Sequence, residues 1–477
     1  MEKKNESITS QSLDFAQWYT DICKKAELMD YSEVKGFIIY KPYAYKMWEQ
    51  IQNFTNYEFA KLGIENAYFP LVIPTSLFQK EKDHIKGFAP ETLIATIGGQ
   101  EKLLDQLIIR PTSEVLFTSY FAKQVNSYRD LPIKLNQWCS VVRWEKTTRP
   151  FLRGSEFLWQ ETHTVHETSE EAKKLTIDAL NLYVKIGRDL LAIPFVHGEK
   201  TPKEKFAGAE NTYTIEALMK DGKSLQSGTT HYFGDGFTKA FEVKYLGKDG
   251  KQYNPYQTSF GISTRLLGAV IMVHGDDNGL VLPPRLAPIQ VVIIPIAAEK
   301  NPAVLDKCKE IYKQLEAKGI RVKLDDSKNS AGWKFSEYEM KGVPLRIELG
   351  PKDLSSNVVT LATRYNYQKE QIILDNNFAN SIPQKLDDIH EAMYKKAEDF
   401  LKASIHEATN FDELKQYLEK GGYVKTMWCE DVACEEKIKK DLQATSRCMP
   451  FDQTPISDTC PICGKKATKV IYWAKAY

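Results

Sequence analysis

The sequence predicts an α+β protein of several domains, and three stretches carry that reading. Residues 141–159 run strand, basic loop, strand, which is an antiparallel hairpin. Residues 289–405 alternate strands with helices, the pattern of a small α/β domain on a mixed sheet. The tail carries two close cysteine pairs, Cys429 with Cys434 and Cys460 with Cys463, the second within Cys-Pro-Ile-Cys-Gly. Two thiol pairs on two turns suit a tetrahedral zinc ion with no open position, so a small α/β zinc-binding C-terminal domain with structural Zn²⁺ is expected. Pro283, Pro284 and Pro288 mark the first junction, and the expected domains are 1–286, 287–405 and 406–477.

Size and charge bound the function. A chain of 477 residues has room for a large core. Lys and Arg number 64 against 63 Asp and Glu, a net charge of +1. A general nucleic-acid binder carries a basic surface, so any RNA contact must come from a local patch. The first fifteen residues lack the apolar core of a leader, and no run reaches membrane-span length. Eight cysteines in so long a chain do not make a disulfide framework. A reducing, cytoplasmic location without membrane contact is the expectation.

From the N-terminus, Leu13, Phe15, Trp18, Tyr19, Ile22 and Leu28 are spaced for a helix over 13–31. A short strand at 36–40 follows, then a helix over Ala44–Leu62 closed by Gly63, then a strand over 66–74. Leu107–Ile109 reads as a strand, and Arg110-Pro-Thr-Ser-Glu114 opens a helix that Thr112 or Ser113 can cap. Glu114 at that helix start is either a dipole partner or a carboxylate that receives an amine. Arg143 and Glu145 lie two apart and are expected on one strand face. There they can hold a phosphate and its nucleotide, a surface salt bridge being the plain alternative. Thr168-Ser-Glu-Glu171 makes a capping box ahead of an amphipathic scaffold helix.

Residues 225–237 place Gln226, Thr229 and His231 in a glycine-spaced segment that a ligand can approach. Thr258–Ser263 reads as a strand, and Arg265 begins an apolar helix. A cation there opposes the helix dipole at a cost of about 0.3–1 kcal/mol, which an anion from a ligand, or a salt bridge, would offset. Beyond Pro288, strands are expected at 289–296, 321–326, 345–350 and 357–365, with helices over Pro302–Lys318, Gly332–Lys341 and Ile382–Ile405. Arg346, Glu348 and Lys352 can read base edges and phosphates, or stand as solvated charges on a strand edge. Cys448 is expected to be buried rather than ligating, and Cys23, Cys139 and Cys308 to lie in the core.

These motifs resemble a known family. R-W-E at 143–145, the loop, and F-L-R-G-S-E-F-L-W-Q-E-x-H ending at His163 are similar to the second signature motif of class II aminoacyl-tRNA synthetases. The form is that of the prolyl-tRNA synthetases of the archaeal and eukaryotic branch. T-x-E at Thr112–Glu114, Q-x-G-T-x-H from Gln226 to His231, G-x-S-T-R ending at Arg265 and the four-cysteine tail match the same family. Relatives often carry Thr where Ser263 stands, and they vary at Gly154. The likeness runs from about residue 13 to the last residue.

The resemblance implies an antiparallel-sheet class II catalytic core, an α/β anticodon-binding domain and the zinc domain. It implies that ATP, with Mg²⁺, activates L-proline and that prolyl passes to the 3′ end of tRNA(Pro). Arg143 would meet the α-phosphate and Arg265 the γ-phosphate, as the catalytic pair. Thr112, Glu114, Trp159, His163 and His231 would shape the proline pocket. Glu145, Arg153, Phe157, Gln226, Thr229 and Ser263 would complete the ATP site, and Arg346, Glu348 and Lys352 would meet the anticodon. A homodimer is implied, with the helix and Pro70 strand around Gly63 as its interface motif. About a hundred residues separate the second and third motifs, too few for the editing insertion of bacterial-type relatives. A tRNA-binding paralogue without activity would be expected to lose Arg143, Arg265 or Glu114, and a zinc hydrolase would need an open metal site. A threonine or histidine synthetase would lack the R-P-T-S-E and Q-x-G-T-x-H pairing.

Overall fold

A computed structural model describes residues 8–80 and 92–477. The polar residues 1–7, which carry part of the no-leader expectation, lie outside the described residues. Helix α1 (Phe15–Lys25) starts at Asp14, whose carboxylate accepts from Gln17 N. It is shorter than the apolar spacing predicts. The chain turns at Glu27, with φ 57°, and β1 (Met29–Tyr31) pairs antiparallel with β2 (Ile38–Tyr40). Helix α2 (Pro42–Lys61) has Pro42 at its first turn and stops before Gly63, with φ 66°. The predicted strand over 66–74 divides into β3 (Glu65–Asn66) and β4 (Val72–Pro74), which join different sheets. Pro70 lies in the break, where its missing N–H costs no ladder bond.

After α3 (Thr75–Phe78), β5 (Leu93–Gly98) and β6 (Glu101–Ile109) complete a three-stranded sheet in the order β4-β6-β5. Next come α4 (Glu114–Gln124), the long hairpin β7 (Ile133–Val142) and β8 (Glu156–His166), and α5 (Ser169–Ile186), whose first turn is capped by the Thr168 hydroxyl. Then follow β9 (Val196–Glu199), β10 (Asn211–Leu218), β11 (Ser224–Gly234), α6 (Gly236–Ala240), the short pair β12 (Tyr245–Leu246) and β13 (Gln252–Tyr253), β14 (Tyr256–Ser263) and α7 (Arg265–His274). The main sheet has the order β3-β7-β8-β14-β11-β10-β9. One face packs on α2, α5 and α7 through Trp48, Ile51, Tyr183, Phe260, Ile262 and Leu267, all buried. Each such side chain contributes about 1.5–3 kcal/mol of burial. On the opposite face α4 covers only one end, through Phe117 against His163 and Thr118 against Gln257.

The second part holds β15 (Val291–Pro295), α8 (Pro302–Glu316), β16 (Val322–Leu324), α9 (Ala331–Met340), β17 (Leu345–Leu349), α10 (Pro351–Ser355), β18 (Val358–Thr363), β19 (Lys369–Ile373) and α11 (Phe378–Ala403). Its sheet, ordered β16-β15-β17-β18-β19, is parallel over β16, β15 and β17 and antiparallel beyond, hence mixed as predicted. Helix α11 ends at Ala403 rather than Ile405, because β20 (Ile405–Glu407) already belongs to the next sheet. That sheet, ordered β20-β21-β23-β22, adds β21 (Tyr423–Trp428), β22 (Thr445–Cys448) and β23 (Lys469–Ala474), flanked by α12 (Phe411–Lys420) and α13 (Val432–Leu442). Among the described residues no helix is long and apolar enough to cross a membrane.

Candidate active site

Strand register assembles the site. β8 pairs with β14, and β14 with β11, so His163, Ser259 and His231 form one row across the sheet. Glu161, Gly261 and Thr229 form the next row, and Trp159 stands opposite Ser263. Alternation along β8 sends Phe157, Trp159, Glu161 and His163 out of the same face. That face floors a cavity of about 220 Å³. Thr112 and Glu114 border it from the start of α4, Arg143 from just past β7, Arg265 from the first turn of α7, and Lys200 and Phe206 from beyond β9. Gly261 keeps the floor open, since a Cβ there would lie 2.8 Å from the Gln160 carbonyl oxygen.

One end of the cavity is acidic. The Thr112 hydroxyl donates to Glu114 at 2.5 Å, and both residues are buried. Neither Thr112 nor Ser113 caps α4 as the sequence suggests; the Ser113 hydroxyl donates instead to Glu161, a charged and stronger acceptor. Glu161, 3% exposed, also accepts from Gln137 Nε2 at 2.6 Å and bonds His163 Nε2 at 2.9 Å. Burial alone would raise its pKa, but the His163 ring, the Ser113 hydroxyl and the Gln137 amide outweigh it and hold the carboxyl below its ordinary value. His163 stacks on Phe117 with ring centroids 4.2 Å apart. Thr212 and Thr229 hold the two ring nitrogens of His231 at 3.0 Å each. Burial, then the charge of His163, pushes His231 down to about 3, so its ring is neutral.

The other end is basic. Arg143 donates from Nε to the Pro111 carbonyl at 3.0 Å, and its guanidinium lies 5.4 Å from the Phe157 ring and 5.5 Å from the Trp159 ring. Arg265 donates to the carbonyls of Leu152 at 3.0 Å and Gln226 at 3.1 Å, and its own N–H reaches the Ser263 hydroxyl at 3.2 Å. Burial of the guanidinium, then repulsion from Arg143 and Arg153, lowers Arg265 to about 10. Among the described residues Arg265 has no carboxylate partner, so the salt-bridge alternative is not the one the fold takes. Two mutually repelling guanidinium groups in one cavity can be neutralised together by a polyanion.

Arg143, Glu145, Arg153 and Cys139 sit differently from what the sequence predicts. β7 ends at Val142, so Arg143 and Glu145 do not share a strand face; the pairing extends only through Arg143 N to the Ser155 carbonyl at 2.8 Å. Glu145 and Arg153 lie on the connecting loop outside the cavity lining and face each other at 3.9 Å. Gly36, with φ 86°, pins that loop to the β1–β2 turn by accepting from Ser155 N at 2.8 Å; a Cβ there would strike the Ser155 hydroxyl at 2.3 Å. Cys139 is half-buried rather than in the core, and its sulfur accepts the Trp159 indole N–H at 3.2 Å. Glu161 escaped the sequence reading, although the period-two run Phe157, Trp159, Glu161, His163 marks it as a residue of the same face.

The four tail cysteines come together as their spacing predicts. Cys429 directly follows β21, Cys434 sits in the first turn of α13, and Cys460 and Cys463 flank one turn. All four sulfurs lie within 4.8 Å of one another, Cys429 3.6 Å from Cys434 and 3.5 Å from Cys463, and Cys460 4.0 Å from Cys434. Thiolates about 2.3 Å from a tetrahedral zinc would stand about 3.8 Å apart, so the set fits that ion. Cys448 is buried outside this cluster, as expected, and Cys23 and Cys308 are buried too.

Comparison with known proteins decides the family. Residues 97–274 match the tRNA synthetase class II core domain (G, H, P, S and T), 290–381 an anticodon binding domain, and 411–477 the family described as prolyl-tRNA synthetase, C-terminal. Proline–tRNA ligase 2 of Bacillus cereus is 54% identical over 473 residues, 99% of both chains. The proline–tRNA ligases of Lachnospira eligens and Clostridium novyi are each 54% identical over 473 residues, 99% of this chain and 98% of theirs. The chain belongs to the proline–tRNA ligase family. The class II core match contains every residue that lines the cavity, and the proline–tRNA ligase C-terminal match contains all four clustered cysteines.

The anticodon-binding match contains Arg346, Glu348 and Lys352. β17 is an inner strand, so Arg346 and Glu348 are not edge charges. Arg346 is buried against the Phe335 ring, 4.2 Å from its centroid, and donates to Glu348 at 2.9 Å and Glu339 at 3.0 Å. It borders a cavity of about 290 Å³ with Tyr338, Arg364 and Lys369. Lys352 stands apart and exposed on α10.

Proposed function

We propose that this chain activates L-proline with ATP, releasing diphosphate, and passes the prolyl group to the 3′ end of tRNA(Pro). The observation that carries the reading is the single cavity whose acidic end holds Thr112 and Glu114 and whose basic end holds Arg143 and Arg265. A secondary ammonium offers two N–H donors and one positive charge, which a hydroxyl and two buried carboxylates, Glu114 and Glu161, can satisfy. Trp159, His163 and His231 wall that end. A proline carboxylate is already a nucleophile. It attacks the α-phosphorus, the bond to the bridging oxygen breaks, and diphosphate leaves with the electron pair. Catalysis is then positioning plus charge, with Arg143 at the α-phosphate and Arg265 at the γ-phosphate. Phe157 stacks on adenine, Gln226, Thr229 and Ser263 surround the nucleotide, and Glu145 and Arg153, which lie outside the cavity lining, meet the adenine amino group and the phosphates from the connecting loop. Mg²⁺, when bound, neutralises the triphosphate.

The remaining assignments belong to the same proposal. The domain division at 287 and 406 is supported by the three separate matches and sheets, with Ile405 going to the last. Zinc in the cysteine cluster is supported by the sulfur spacing. Arg346, Glu348 and Lys352 meet the anticodon, Arg346 from the cavity it borders. A homodimer is favoured by exposed Leu71, Ile94, Ile97 and Leu104 on or beside the β4-β6-β5 sheet. Location is cytoplasmic. The proposal includes no cis editing, which the short segment between β8 and β14, taken up by α5, α6 and β9–β13, supports. Incubating the chain with ATP, labelled proline and tRNA(Pro) should yield prolyl-tRNA, while added Ala-tRNA(Pro) persists. No prolyl-tRNA would contradict the activity, and rapid loss of Ala-tRNA(Pro) would contradict the absence of editing.

A further inference from the structure

A fully buried carboxylate, Glu216 on β10, joins the main sheet to the C-terminal sheet. Its Oε1 accepts from Lys200 Nζ at 2.9 Å and Thr214 Oγ1 at 3.0 Å. Its Oε2 accepts from Ser224 Oγ at 2.8 Å and from Arg447 at 2.9 Å (Nη2) and 3.1 Å (Nε). Arg447 comes from β22, in the other sheet. Lys200 lines the substrate cavity, is 4% exposed, and has no second acceptor among the described residues.

Two cations on one carboxylate leave one buried positive charge beside the cavity; Glu204, which lines the same cavity, makes no ion pair with either cation among the described residues. Such an excess is unfavourable unless an anion answers it. Burial pulls Lys200 below the ordinary lysine value; Glu216 opposes that and Arg447 adds to it. The excess lies at the basic end, because the cross-strand partner of Glu216 is Gln226, whose carbonyl accepts from Arg265.

We infer that Lys200 binds a phosphate group in the substrate cavity, and that Arg447 of the C-terminal sheet keeps it available by sharing its carboxylate. The inference rests on the catalytic reading above. Arg447 is a positioning residue: without it Lys200 and Glu216 collapse into a neutral pair, and the excess charge disappears. The phosphate belongs either to ATP or to the 3′ end of the tRNA.

The test compares Lys200→Met, Arg447→Met and Arg447→Lys with the wild-type chain, each checked for melting temperature and zinc content. Proline-dependent diphosphate exchange without tRNA gives the KM for ATP and proline, and aminoacylation gives the KM for tRNA. Both methionine variants should raise the KM for ATP or for tRNA about tenfold, the scale of one charge-assisted hydrogen bond, and leave the KM for proline within about twofold. The rise in one arm or the other identifies the phosphate. The double variant should be worse than either single one, because it leaves Glu216 a buried, unpaired anion beside the cavity. Arg447→Lys should restore the wild-type value. Folded variants with unchanged KM for ATP and tRNA would overturn the inference, as would equal rises for all substrates. If Arg447→Met does not fold, Lys200→Gln, which keeps a donor for Glu216, carries the same test. A wild-type chain without exchange would instead sink the catalytic reading.

Discussion

His231 is held between two threonine hydroxyls at 3.0 Å and stays neutral where a free imidazole titrates. Burial also brings His166 and His274 to about 3 each, from an ordinary 6.5. Below 6.5 the unfolded chain binds protons at these rings and the folded chain does not. Stability therefore falls as pH drops from 6.5 toward 3. Nitrogen NMR on ring-labelled protein at about pH 5.5 should show a neutral His231, and an imidazolium signature there would contradict the buried geometry. At this scale the sequence is legible where a motif names the residue: Thr112, Glu114, Arg143, Trp159, His163, His231 and Arg265 all reach the one cavity. It is less legible where a side chain's direction decides. Glu145 and Arg153 point to each other on a loop, and Ser113 serves Glu161 rather than its own helix.

Helices with a continuous apolar stripe are readable because their period is local. α5 begins at its Thr168 cap and α2 ends before Gly63, as the pattern requires. Strands are harder, because alternation does not say which sheet a strand joins. The run 66–74 splits at Pro70, and β19 hides in the polar stretch Lys369, Glu370, Gln371 on an exposed edge. The cysteine turns are legible because metal geometry constrains their spacing, and they carry a prediction at this scale. Cys460 is buried in the C-terminal core beside Trp428 and Val470. Cys460→Ser should reduce bound zinc from about one ion per chain to a small fraction and lower the first melting transition by about 5 °C or more. Unchanged metal content and melting would remove zinc from the account of this domain.

The whole molecule depends on contacts that no local pattern announces. Glu216 and Arg447 are far apart in sequence, and only folding shows that one carboxylate serves two cations from different sheets. Exposed apolar groups tell a similar story. Leu104 is fully exposed and Ile97 is 59% exposed on the β5–β6 hairpin, a surface that a second copy would cover. Light scattering should give twice 54.6 kDa for the wild-type chain, and Leu104→Asp with Ile97→Asp should shift it toward the single mass. A double variant still dimeric at micromolar concentration would place the interface elsewhere.

The proposed activity requires that two arginines clamp one triphosphate beside a pocket for a cyclic imino acid. ATP–diphosphate exchange, run across the twenty amino acids on the wild-type chain and on Arg143→Ala, tests it most directly. Proline should drive exchange, alanine should trail by about 10–200-fold for each missing methylene, and Arg143→Ala should lose about a hundredfold or more. Faster exchange with another amino acid, or undiminished exchange in folded Arg143→Ala, would contradict it.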